Sequence, residues 1–373
     1  MQRKQFLLCL ISFALFGTEG LEYTHVTFPN SSYLSCITGT QSIHLIDINP
    51  SLFTIKPVKA LDNGIGRESV LSLSTRHGAI AAINSGFFSI GGTFDGKACG
   101  TLKINDWYAL PVKPRGCIGW SSTNQNPIMD RLLVNVFGTY NQNHFPIDGL
   151  NKPRKEGEIV FFTPNFHRTT LTNPDGEELV INKDLIQSVK SQGSTKIPEE
   201  GGVLSIQANH KLFHTFTAGS PLTITTQITP LTGATTAEEW ETLEYIVGGT
   251  PLLLYNSARI VDFSSELTIP TFLSNKHART AIGILPNKHW ILVVVDKTTY
   301  FDGMTMDELS NLMVQLGCVH ALNLDGGGSS TMVYEGQIIN SPHGDEDEGA
   351  NQNTVRRVSD AILVIPKQNL SNQ

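Results

Sequence analysis

The chain has 373 residues, 40% of them hydrophobic and 16% charged, which suits a packed globular protein and excludes a disordered one. Its net charge of -7, an isoelectric point near 5.9 and the lack of a basic cluster speak against nucleic acid or an anionic membrane surface as partner.

Arg3 and Lys4 precede an almost unbroken apolar run from Phe6 to Phe16, and Gly17, Thr18 and Gly20 supply small residues near a cleavage point. This pattern predicts a secretory signal peptide over residues 1–20 and a mature chain of residues 21–373. The run is shorter than the roughly 20 apolar residues of a membrane-spanning helix, so no stable membrane anchor is expected. Export to the periplasm or the extracellular space follows. Cys36, Cys99, Cys117 and Cys318 would remain; Cys99 and Cys117 are the first pair to consider, against buried free thiols, and no CxxC spacing suggests zinc.

Alternating apolar residues predict strands over 43–60, followed by a short helix from about Glu68 to His77 with Gly78 as its C-cap. Residues 79–83 read as a buried strand that ends at Asn84-Ser85-Gly86. From 130 to 245, short strands at 158–163, 178–181, 203–208 and 222–229 are separated by turns such as Asn173 to Gly176 and Glu200 to Gly202. Trp290 to Val295 is a continuous apolar strand ending at Asp296. Thr305 and Glu308 fit a capping box, and Leu309, Leu312, Met313 and Leu316 form one apolar helix face closed by Gly317. Residues 318–324 form the next strand, which stops at Asp325. If the strands ending at Asp296 and Asp325 are parallel, both carboxylates reach one sheet edge. The fold expected is a strand-rich α/β (α+β) single domain with a mixed sheet and few helices.

Asp325-Gly326-Gly327-Gly328-Ser329-Ser330 is the strongest local signal. Its glycines allow a ligand close to the main chain, its amides can form an anion-binding nest, and its serines add hydroxyls; a hairpin turn joining 318–324 to 331–334 is the plain alternative. Arg279, entering an apolar strand, suits a phosphate or carboxylate, or else a structural ion pair. Asn84 could orient a substrate or cap a turn. Gly248-Gly249-Thr250-Pro251 is a second site of close approach or a strand entry. The run Asp345 to Glu348 reads as a solvated loop, and His210, His277 and His343 have no metal-ligand spacing.

Ala82-Ile83-Asn84-Ser85-Gly86-Phe87-Phe88, Gly248 to Leu253, Ala278 to Gly283, Ala321 to Thr331 and, more weakly, Arg356 to Ala361 together resemble the phosphodiester glycosidase family over roughly residues 45–365. The family's final Arg-x-Val usually follows an acidic residue; here Val355 precedes Arg356. No cysteine-rich extension like that of the animal enzyme is present, which points to a bacterial member. The resemblance implies hydrolysis of a sugar 1-phosphodiester, such as that of N-acetylglucosamine on a glycoconjugate or cell-envelope polymer, to free sugar and a phosphomonoester. It implies Asp325 as nucleophile or base, Asp296 as an alternative carboxylate, Arg279 on the phosphate and Asn84 orienting the substrate. Gly86, Gly249, Thr250, Gly326, Gly327, Gly328, Ser329, Ser330 and Arg356 would bind substrate. No cofactor is evident; a divalent cation near Asp325 is compatible, but no ligand spacing demands a metal. The expected partner is a glycan phosphodiester, and nothing bears on oligomeric state. The alternatives are a phosphodiesterase cleaving the P–O bond and a non-catalytic binder of envelope polysaccharide.

Overall fold

Residues 12–28, 36–111, 113–266, 268–343 and 355–367 are described in a computed structural model. The expected signal peptide falls outside them over residues 1–11, as does the run Asp345 to Glu348; Ser12–Thr18 is described as an edge strand paired with Leu21–Phe28. Twenty-four strands stand among the described residues against four short α-helices: α1 (Val70–Arg76), α2 (Ala237–Glu241), α3 (Pro270–Ser274) and α4 (Met306–Gln315).

Two antiparallel sheets face each other at the centre. The larger runs Ser12–Thr18, Leu21–Phe28, Gln41–Ile48, Trp290–Val295, Arg279–Ile284, His320–Asn323, Leu252–Tyr255, Ala258–Arg259. The smaller runs Gln337–Ile338, Met332–Tyr334, Ala81–Asn84, Asp360–Pro366, Phe53–Lys59. Ile46, Ile282, Leu292 and Val294 of the first share one buried cluster with Ile55, Ile83 and Ile362 of the second. The alternate residues Ile43, Leu45, Val293 and Val295 turn the other way, against Met306, Leu309, Leu312 and Met313 of α4. On the far side, Ala82, Val333, Ala361 and Leu363 pack on Val70 and Leu73 of α1. The layers are therefore helix, sheet, sheet, helix. Each large apolar side chain buried in them contributes roughly 1.5–3 kcal/mol.

This arrangement corrects the expected mixed sheet: every pairing between the strands named above is antiparallel. The continuous apolar run Trp290–Val295 leaves parallel and antiparallel pairing open in the sequence. It is buried on both faces because a second sheet lies on one and α4 on the other. Trp290–Val295 and His320–Asn323 flank Arg279–Ile284 and each runs antiparallel to it, so they point the same way. Asp296 and Asp325 thus follow strands that end on one edge.

The capping box of α4 holds as read, in Thr305 and Glu308. The structure adds Ser69, whose hydroxyl accepts from the Ser72 amide at the start of α1. Residues 128–147 and 222–230 belong to a further sheet, and Ile159–Phe162, Gly202–Gln207, Gly176–Asn182 and Leu185–Lys190 form a four-stranded one. The four-stranded sheet docks through Phe162 and Phe166 onto Ile65 and Phe94, beside the edge where Asn84 and Lys59 end their strands. Cys99 and Cys117 each carry a free thiol, so the pairing considered from their spacing is not formed.

Candidate active site

The Asp325 loop is not a hairpin. His320–Asn323 and Met332–Tyr334 lie in different sheets, so the loop crosses from one layer to the other at their common edge. It turns through a short 3-10 segment, Gly327–Ser329, entered by Gly327 at φ +59°. The glycine positions answer to contacts as well as to conformation. A Cβ on Gly328 would lie 2.8 Å from Nη2 of Arg356, and one on Gly326 would lie 2.8 Å from the Ala278 carbonyl.

Asn84 fastens this loop. Its Nδ2 donates to the Asp325 carbonyl at 2.7 Å, while its Oδ1 accepts from the Thr280 hydroxyl at 2.8 Å and the Thr331 amide at 3.1 Å. The Asp325 amide donates to the Ser85 carbonyl at 3.0 Å, so the two polar strand ends meet. Asn84 is buried, and its side chain is spent on the protein rather than presented to a ligand. Ser330 belongs to the same lock, 3.2 Å from the Thr280 hydroxyl.

The Asp325 carboxyl is half-buried and bonded to its own loop: the Gly326 amide donates to Oδ1 at 3.0 Å, and the Ser329 hydroxyl also bonds the carboxyl. Arg356 donates to the Ser329 hydroxyl at 3.1 Å and places its charge beside Asp325. Burial pushes the Asp325 carboxyl up to about 6, Ser329 and Arg356 pull it back, and Asp360 raises it further. Asp360 was not anticipated as a site residue. Its Oδ1 accepts from the Gly86 amide at 2.9 Å, and its buried Oδ2 has no partner among the described residues. The signal for it was available: a polar residue at the mouth of the apolar run Ala361 to Pro366, like Asn84 and Asp325 at the ends of theirs.

Other strand ends close the same corner. A Cβ on Gly86 would touch the Asp360 carboxylate and the Gly248 carbonyl, each at 3.5 Å. Gly249 passes so close to the Asn323 carbonyl that a Cβ would collide with it, and the Thr250 amide donates to that carbonyl at 3.0 Å. The Ser85 and Thr250 hydroxyls and the Asn323 amide oxygen are buried without a partner among the described residues. Buried polar atoms of this kind are uncommon in a folded protein unless a ligand or water serves them.

Two expected residues stand elsewhere. Arg279 is buried with its guanidinium on the α4 face of its strand, opposite Thr280. It donates to the carbonyls of Met304, Phe272 and Asn275 at 2.8–3.0 Å, and burial lowers it to about 10. The guanidinium set against Asp325 is that of Arg356, near the chain's end. Asp296 is also buried and saturated: Ser42 and His44 bond Oδ2 at 2.8 and 3.0 Å, and Asn340 and the Ser341 amide bond Oδ1 at 3.1 and 2.9 Å. Burial raises its carboxyl, but His44, the Ser341 amide and Ser42 hold it below the ordinary range. Asn340 also donates to the Ser330 carbonyl at 3.0 Å, so Asp296 supports the loop from outside. The Asp325 and Asp360 carboxylates are near each other, and the Arg356 charge stands beside Asp325. No three His, Cys, Asp or Glu side chains gather as metal ligands among the described residues.

The chain is 34% identical over 79 residues to a prophage-derived protein of Bacillus subtilis, covering 21% of this chain and 12% of that protein. It is 33% identical over 93 residues to the bovine N-acetylglucosamine-1-phosphodiester alpha-N-acetylglucosaminidase, covering 25% of this chain and 18% of the enzyme. It thus spans a minor part of both relatives. A solved Synechocystis protein shares the fold, with a TM-score of 0.80 at 22% identity over 96% of this chain and 64% of its own. The profile of the phosphodiester glycosidases matches residues 175–365, slightly more than half of the sequence and inclusive of Thr250, Asp325, Arg356 and Asp360, and the chain belongs to that family.

Proposed function

We propose that the chain hydrolyses a sugar 1-phosphodiester at its glycosidic bond, releasing free sugar and a phosphomonoester. The observation that carries this reading is the placing of Asp325, raised to about 6, on a glycine loop between Arg356 and a second carboxylate, Asp360. Breaking the C1–O bond builds positive charge on the sugar, and an ionised Asp325 offsets it. The electron pair leaves with the phosphate oxygen, which needs no proton, and the Arg356 charge with the Ser329 hydroxyl favours the departing anion. Water completes C1, and Asp360 is the carboxylate available to accept its proton. The Ser85 and Thr250 hydroxyls suit sugar hydroxyl groups. Asn84, Arg279 and Asp296 act as positioning residues behind the loop.

N-acetylglucosamine and a glycoconjugate or envelope polymer are the proposed sugar and setting, and export is proposed from Arg3, Lys4 and the apolar run Phe6 to Phe16. Among the described residues no helix is long and apolar enough to cross a membrane. The mechanism routes no step through a divalent cation. Product analysis with an N-acetylglucosamine 1-phosphodiester tests the reading: free sugar supports it, and sugar 1-phosphate would make the chain a phosphodiesterase instead.

A further inference from the structure

A second cleft opens on the same edge as Asp360. It encloses about 640 Å³, within the rough 300–1,000 Å³ of small-molecule sites. One wall is the turn at Asp62 and Asn63 with Tyr108; the other is built by loop residues within 164–169 and 196–199 that join strands of the four-stranded sheet. Lys59 ties the cleft to the reacting centre. It is the register partner of Asp360, and its Nζ bonds the carbonyl and hydroxyl of Ser359 at 3.0 and 2.9 Å. Asp62 follows three residues later, at most ~10 Å of chain away.

The turn itself is fixed by its neighbours. Leu61 and Asp62 both adopt left-handed backbone, at φ +54° and +50°, where residues other than glycine are uncommon. Glu68 holds the turn by accepting from the Leu61 amide at 3.0 Å, and Arg76 holds it by pairing with Asp62 at 2.7 Å. Such backbone persists where its surroundings fix it. Across the cleft, Arg168 and Lys196 are exposed on adjoining segments, and neither side chain has an ion pair or hydrogen bond with another described residue. Asp62 shares the Arg76 guanidinium with Glu68 and faces the cations beside Tyr108, while Glu199 and His167 are the other titratable groups on the wall of Arg168 and Lys196. The cleft thus offers two uncommitted cations, an aromatic face and the amides of Asn63 and Asn165.

We infer that this cleft binds the next anionic sugar-phosphate unit of a polymeric substrate, with Arg168 and Lys196 on its phosphate and Tyr108 against its sugar. The inference rests on the phosphodiester glycosidase reading and specifies its substrate as a chain rather than a single unit. An exposed pair of cations acting on one phosphate supplies about a tenfold preference, and that preference weakens with salt.

The test compares a one-unit N-acetylglucosamine 1-phosphodiester with an oligomer of two sugar-phosphate units, using wild type and the double variant Arg168→Ala/Lys196→Ala. Wild type is expected to show about a tenfold higher kcat/KM on the two-unit substrate, carried by KM, and the variant to lose that preference with one-unit turnover unchanged. Equal kcat/KM on both substrates in wild type, or a preference surviving in the variant, overturns the inference. Calorimetric binding of the two-unit oligomer by Asp325→Asn, with and without the two cation substitutions, separates this inference from the catalytic reading. A tenfold weaker affinity without the cations sustains the cleft even if neither substrate is cleaved, and equal affinity overturns it.

Discussion

Replacing Asp325 by Asn removes one charge from the loop while keeping its shape, since an amide oxygen still accepts from the Gly326 amide. Burial raises the Asp325 carboxyl from 3.8 to about 6 in the folded protein. Between these values the folded state binds the proton and the unfolded state does not. The folded state is therefore weakened as pH rises through that window, and the penalty is complete above about pH 6. Roughly two pKa units correspond to about 3 kcal/mol. Because the side chain is partly exposed, solvent screening reduces this to the order of 1–2 kcal/mol. The Asn variant escapes the penalty. It is expected to match wild type near pH 4 and to melt about 1–3 °C higher at pH 8, since a chain of 373 residues shifts by roughly 1.3 °C per kcal/mol. Turnover is expected to fall by at least about a thousandfold, because the stabilising carboxylate is lost. Thermal melts at both pH values and product release under saturating substrate provide the readouts. A melting difference that does not change with pH, or full turnover in the variant, refutes the reasoning.

Further outcomes follow from the same geometry. The wild-type rate should rise with pH through about 6 to a plateau, because the ionised Asp325 is the active form; a flat profile from pH 5 to 8 would contradict this. Gly328→Ala forces its Cβ against Nη2 of Arg356, and kcat/KM should drop at least about tenfold with little change in the far-ultraviolet spectrum. Asn84→Ala strips the bonds to the Asp325 carbonyl, Thr280 and Thr331 and should destabilise by about 2–4 kcal/mol in denaturant titration. In the native protein a maleimide should label exposed Cys99 and spare Cys117, whose thiol burial pushes up to about 12; rapid labelling of Cys117 would count against the fold at that strand.

The sequence disclosed elements more readily than their pairing. The capping box at Thr305, the apolar face of α4 and the strand Trp290–Val295 appear as read, because each depends on local spacing. The antiparallel pairing escaped because a strand buried on both faces reads the same in either kind of sheet. At the site, the loop from Asp325 to Ser330 and its neighbour Asn84 were legible as polar residues ending apolar runs. Arg279 misled, since a buried guanidinium satisfied by three carbonyls looks in sequence like one awaiting a phosphate. Asp296 misled for a similar reason: four hydrogen bonds from distant residues make it structural. Asp360 opens its strand rather than closing it, and only the fold turns that end toward Asp325.

The central claim is glycosidic cleavage at Asp325, and the direct measurement is the fate of the oxygen that bridges sugar and phosphorus. Hydrolysis of an N-acetylglucosamine 1-phosphodiester in ¹⁸O-labelled water should place the label on C1 of the free sugar and leave the phosphomonoester unlabelled, with no turnover by Asp325→Asn. Label in the phosphate, or equal activity of the two proteins, would contradict the account.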